Sequence, residues 1–231
     1  MKILFVSDYT LAQREGGAQR SNSLLIKKGK ELGHEIVEHS YESSITDFLA
    51  SYDLIIHSNL EHINSINPEK IDFLKRLPNC IRLEHDSCHY LDTRTRAHLF
   101  TTSIKNFFLS DFHLSFFKEL YGDYFINTEI VYDPIDTELF CKTDQEKIYD
   151  VVYCGFIHEL KGAEKIINFA RKNPEKQISI FGWSHRNPYE LFENEKNINF
   201  GGLKTQEEVA SILKQSKAIF HSPIVNEPFC R

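Results

Sequence analysis

Apolar and polar positions along the chain fall into two alternating rhythms. Ile3–Val6 is a short apolar run that reads as a buried strand. From Gly17 to about Leu32 the spacing is helical, with Leu24, Leu25 and Leu32 on one side. Gly33 ends that helix and His34–His39 begins a second strand. Asp53–His57 predicts a third strand, and Cys80–Leu83, after a Pro78–Asn79 turn, a fourth. Phe107–Leu109 is the fifth and feeds a helix from Ser110 to Tyr121, closed by Gly122. Glu129–Tyr132 is the sixth. Strands separated by helices in this order predict an α/β architecture, a doubly wound parallel sheet with helices on both faces.

The rhythm then restarts. A polar stretch, Asp144–Lys147, precedes Val151–Ile157, whose continuous apolar run VVYCGFI suits a central parallel strand. A helix to about Lys172 follows Lys161–Gly162, and Asn173–Pro174 breaks it before a strand at Gln177–Phe181. Strands at Ile198–Phe200 and Ala218–His221 flank a helix opened by Thr205–Glu208, a capping box, with Val209, Ile212 and Leu213 on one face. The boundary is expected near residues 140–147, giving domains over 1–143 and 144–231. With no helix after the last strand, the second domain reads as incomplete.

Composition adds exclusions. The chain has 231 residues, 41% apolar and 26% charged, so it is neither disordered nor a disulfide scaffold. Lys+Arg 27 against Asp+Glu 33 gives −6, which argues against nucleic acid as a partner. No stretch approaches the ~18–20 apolar residues of a membrane span. The N-terminal apolar run is too short for a signal-peptide core, so a cytoplasmic protein is expected. Lys27, Lys28 and Lys30 read as a wet helix face rather than a lipid contact, and peripheral membrane contact stays open. Five cysteines (Cys80, Cys88, Cys141, Cys154, Cys230) without a C-x-x-C pair read as reduced packing residues.

Candidate chemistry sits where the predicted strands give way to loops. Gly16–Gly17 at a helix start lets backbone N–H groups approach an anion, or merely serves a turn. Neither the dinucleotide nor the P-loop consensus is met. His85 and Asp86 directly follow the fourth strand, at the edge where parallel sheets take ligands. His85, Cys88 and His89 lack a second pair at zinc-site spacing. Gly155 to Lys161 forms a second phosphate-type corner, a glycine after an apolar strand and a lysine before a helix. Asp136 can cap a short DTELF helix. No D-x-D triplet occurs, and Glu227 lies beyond the last strand.

Four stretches resemble the family 4 retaining glycosyltransferases, of the GT-B fold. They are GGAQRSNSLLIKKGKELGHEI, VYDPIDTELF, VVYCGFIHELKGAEKII and INFGGLKTQEEVASILKQSKAIFHSPIVNEPF, in the family's order. The resemblance implies two Rossmann-like domains, the second incomplete, with a cleft between them. The first would bind an acceptor: a glycan, a lipid-linked sugar or another class. The second would bind a nucleoside-diphosphate sugar, which is the donor substrate; no cofactor and no metal are implied. Gly16, Gly17, Gly155 and Lys161 would approach the donor phosphates. His85 would be the cleft histidine near the transferred sugar, with Asp86 on the acceptor side, and Glu227 the first glutamate of E-x7-E. Three positions depart from the family: Phe156 stands where an arginine is usual, Cys230 stands where a glycine follows Glu-Pro-Phe, and the second glutamate would be residue 235, beyond Arg231. Other readings keep the shape and change the role: a non-catalytic glycan- or partner-binding module, or a nucleotide-sugar epimerase.

Overall fold

The computed structural model describes residues 1–13, 16–40, 52–58, 79–85, 103–122 and 127–224. Contacts divide the chain into one unit over Met1–Ile135 and another over Asp136–Asn226. Each is a parallel α/β layer structure.

Six strands build the first sheet: β1 (Lys2–Ser7), β2 (Glu35–Ser40), β3 (Leu54–Ser58), β4 (Cys80–Leu83), β5 (Lys105–Phe108) and β6 (Thr128–Ile130). Their order is β2-β1-β3-β4-β5-β6, all parallel. Helix α1 (Gly17–Glu31) lays Ile26 against Ile3, Phe5 and Ile36. Helix α2 (Asp111–Tyr121) lays Phe117 against Phe108. Ser110 caps α2 by accepting from the His113 N–H, and Gly122 ends it at φ +73. The fifth strand starts two residues before the apolar run because Lys105 and Asn106 pair with β4 although their side chains are polar.

The apolar rule for central parallel strands is broken along one row. His57, Arg82 and Asn106 are register partners on β3, β4 and β5, and all three are buried. Arg82 Nη2 lies 2.6 Å from His57 Nδ1, so a guanidinium donor fixes that ring nitrogen as the acceptor. Burial, then the Arg82 charge, hold the His57 pKa well below its ordinary value. The unfolded chain therefore takes up a proton near pH ~6.5 that the folded chain refuses. Stability is expected to be complete above that pH and to fall as pH drops below it, by up to ~1.4 kcal/mol per pH unit. Urea midpoints measured from pH 8 to 5 check this, and His57→Asn flattens the profile.

The second sheet has order β10-β7-β8-β9, again parallel. Its strands are β7 (Tyr149–Phe156), β8 (Ile178–Trp183), β9 (Ile198–Phe200) and β10 (Ser216–Ile219). Helix α3 (Ala163–Lys172) buries Ala163, Ile166 and Ala170 against Val151, Tyr153, Ile178 and Ile180 on one face. Helix α4 (Pro188–Phe192), too short to show a helical period in the sequence, adds Phe192 to that cluster. Helix α5 (Gln206–Lys214) covers the other face with Ile212 against Val152 and Phe181. Its capping box is formed: Thr205 Oγ1 accepts from the Glu208 N–H and the Glu208 carboxylate accepts from the Thr205 N–H. That bond holds the Glu208 carboxyl below its ordinary pKa. The DTELF segment forms a single turn rather than the expected helix; Asp136 Oδ1 accepts from the Glu138 and Leu139 N–H groups.

Three cysteines lie among the described residues, all free: Cys80 buried, Cys154 half-buried, Cys141 exposed. Burial pushes the Cys80 and Cys154 thiols up to about 11. Among the described residues, no helix is long and apolar enough to cross a membrane.

Candidate functional site

In the first unit the candidate chemistry converges on His85. The residue follows β4, and its side chain is 3% exposed. Its Nε2 lies 3.0 Å from Asn22 Oδ1 of α1, and the Ser58 hydroxyl at the end of β3 donates to that same oxygen at 2.8 Å. Its Nδ1 lies 3.2 Å from Asp133 Oδ1, whose side chain is 7% exposed. The two are at ion-pair distance but not aligned as a hydrogen bond. Ser58, Asn22, His85 and Asp133 thus form one buried polar chain. Both imidazole nitrogens face oxygen atoms of the protein, so the ring is fixed in position and orientation. Asn22 and Asp133 were not among the expected site residues. For Asp133 the readable signal was its placement: like His85 it follows a parallel strand, at the edge where such sheets take ligands.

Gly16 is the N-cap of α1 in an extended conformation, and Gly17 is its first residue. Gly16 offers no side chain to cap the helix, and its first turn holds no acidic residue. The positive end of α1 is therefore not neutralised by its own turn.

In the second unit Gly155 and Lys161 bracket the connection from β7 to α3. Lys161 ends a 3-10 turn, Glu159–Lys161, and Gly162 enters α3 at φ +86. A Cβ on Gly162 would come within 2.2 Å of the Ser222 carbonyl oxygen, so the loop after β10 lies directly against this corner. Ile224 N–H donates to the Leu160 carbonyl at 2.8 Å, tying the two loops together. Gly155, at φ +152, pairs in register with Gly182, at φ +145. A Cβ on Gly182 would meet the Gly155 carbonyl oxygen at 1.8 Å. Only glycine fits, because the obstacle is backbone and the conformation excludes L side chains. Gly182→Ala is expected to cost ~1–3 kcal/mol, read as a lower thermal midpoint; an unchanged midpoint would mean the two strand ends are not held this closely.

Phe156 and Trp183 are the next register pair. Their rings stack with centroids 4.4 Å apart, at the position where the family resemblance expects an arginine. The other expected site residues, Asp86 and Glu227, lie outside the described residues, as do Cys88, His89 and Cys230. Among the described residues, no group of three His, Cys, Asp or Glu could hold a metal ion.

No family model and no curated protein matches the chain by sequence. Solved structures do match. The chain is similar to AviGT4, a glycosyltransferase involved in avilamycin A biosynthesis, at 15% identity and TM-score 0.62 over 94% of this chain and 68% of that one. It is similar to an α-glucosyltransferase in complex with UDP and a 13-mer DNA containing an HMU base, at 13% identity and TM-score 0.69 over 99% and 74%. Sucrose-phosphate synthase from Thermosynechococcus elongatus matches at 11% identity and TM-score 0.75 over 99% and 77%. The fold is that of GT-B glycosyltransferases. In this chain that fold is two Rossmann-like parallel-sheet units, the second smaller. At such identities the likeness concerns the backbone alone.

Proposed function

We propose that the chain is a glycosyltransferase that moves a sugar from a nucleoside-diphosphate sugar to an acceptor, as in family 4, with retention of anomeric configuration and without a bound metal. The observation that carries this reading is the corner at the carboxyl end of β7, on a fold shared with known glycosyltransferases. Gly155 and Gly162 keep that corner free of side-chain bulk, and Lys161 closes the turn between them.

The chemistry asks for such groups. Breaking the anomeric carbon–oxygen bond leaves extra negative charge on a diphosphate and positive character on the sugar. The Lys161 ammonium stabilises the first as a point charge, and fixed N–H dipoles at a helix start do the same. Gly16 and Gly17, at the positive end of α1, suit an anion by the same physics. His85 is held rigid by Asn22 and Asp133, so what it contributes is a fixed group on the acceptor-side unit rather than a mobile base. Asp86 and Glu227 are assigned the acceptor side and the donor sugar.

The test is a transfer assay on the 231-residue chain. UDP-, GDP- and ADP-sugars are offered with glycans, lipid-linked sugars and an oligonucleotide carrying a hydroxymethylated base. The last is included because one similar structure holds such a DNA. Product with retained configuration, insensitive to a chelator, is expected. Release of inverted product would overturn the retaining assignment. Interconversion of the free nucleotide sugar without an acceptor would favour an epimerase.

A further inference from the structure

Phe156 and Trp183 make a structure that the core does not require. They are the last register pair of β7 and β8, and neither belongs to the buried clusters of the second unit. Two rings stack on Phe156: His158 at 5.2 Å and 15°, and Trp183 at 4.4 Å and 28°. His185 meets both rings edge-on, at 5.2 and 4.9 Å. The backbone below is locked. The Tyr153 hydroxyl donates to the Phe156 carbonyl at 2.7 Å, and the Ile157 N–H donates to the Trp183 carbonyl at 2.8 Å. With its stack in place, Trp183 remains 45% exposed. A large, rigid aromatic side chain is therefore held at the surface, at the sheet edge where parallel α/β folds take ligands.

We propose that Trp183, backed by Phe156, is the stacking platform for the nucleobase of a nucleoside diphosphate, a role that rests on the donor reading given above. Three features favour a planar heteroaromatic ring over a saccharide. The outer surface is a conjugated ring already ordered as one layer of a π-stack, so a further flat ring extends the stack at little entropic cost. A cavity of about 220 Å³ adjoins it, lined by His158, Glu159, Ser184, His185 and Arg186 among others. These groups offer donors and acceptors to a ring's edge. Finally, Phe156 and Lys161 lie on the same connection, so one ligand with a flat ring and a diphosphate satisfies both. A phenylalanine where the resemblance expects arginine then exchanges a phosphate clamp for base stacking.

The chain contains one tryptophan, so its emission reports Trp183 alone. UDP, GDP and ADP, the matching free nucleosides, inorganic pyrophosphate and maltotriose are titrated separately, with fluorescence and calorimetry as readouts. Quenching by the diphosphates and nucleosides, but not by pyrophosphate or maltotriose, is expected. Trp183→Ala should weaken diphosphate binding about 5- to 140-fold. Trp183→Phe, which keeps an aromatic face, should retain most of the affinity, and circular dichroism checks that both variants fold. Folded Trp183→Ala with wild-type affinity would refute the platform while leaving donor binding intact. Quenching by maltotriose in place of nucleosides would refute it too. Nucleosides that quench while no diphosphate binds would keep the platform and remove the donor reading; no response to any nucleoside or diphosphate removes both.

Discussion

Replacing Lys161 with alanine is expected to abolish the calorimetric signal for UDP, GDP and ADP. Lys161 sits at the close of the 3-10 turn, one residue before the left-handed Gly162 that starts α3. A charge-assisted bond to a phosphate contributes ~1.5–3 kcal/mol, or up to roughly 100-fold in affinity. Lys161→Arg keeps the charge but changes its shape and should retain measurable binding. Equal affinities for wild type and Lys161→Ala would remove the phosphate role of this corner.

The second large effect concerns stability. Asp133→Ala strips one partner from the buried His85 contact, and leaving a buried polar group without its partner typically costs ~1–3 kcal/mol. The mutation also leaves the Ser58–Asn22–His85 chain without its terminal carboxylate. Chemical denaturation followed by far-ultraviolet circular dichroism should show an early transition, and Asp133→Asn, nearly isosteric, should recover part of the loss. If Asp133→Ala and wild type unfold at the same denaturant concentration, the pair does not hold His85.

Much of the architecture was legible because it is written locally. The apolar run VVYCGFI, the Thr205–Glu208 cap and the glycines at 33 and 122 each specify their element through residues a few positions apart. Strand ends shifted by at most two residues, in places because hydrogen bonding continues past the apolar stretch; β5 begins at Lys105 for that reason. The short helix α4 escaped because its five residues are too few for a helical period to declare itself. The site was legible by type and place, not by partner. His85 was singled out from its position after a strand, but Asn22 and Asp133 reach it from 63 and 48 residues away. The row His57–Arg82–Asn106 is likewise invisible locally, because it exists only once three strands lie side by side in this register. The Phe156–Trp183 stack follows the same logic: register places the two rings together, while the sequence shows a phenylalanine out of pattern.

The three described thiols differ in a way that can be exploited at the bench. Maleimides and disulfide reagents attack the thiolate, and with pKa values about 11 Cys80 and Cys154 stay almost wholly protonated at neutral pH. Cys141 is exposed at the surface. Between these three, a brief treatment at pH 7 should therefore modify Cys141 first, giving a fluorophore or spin label a foothold next to the turn that opens the second unit.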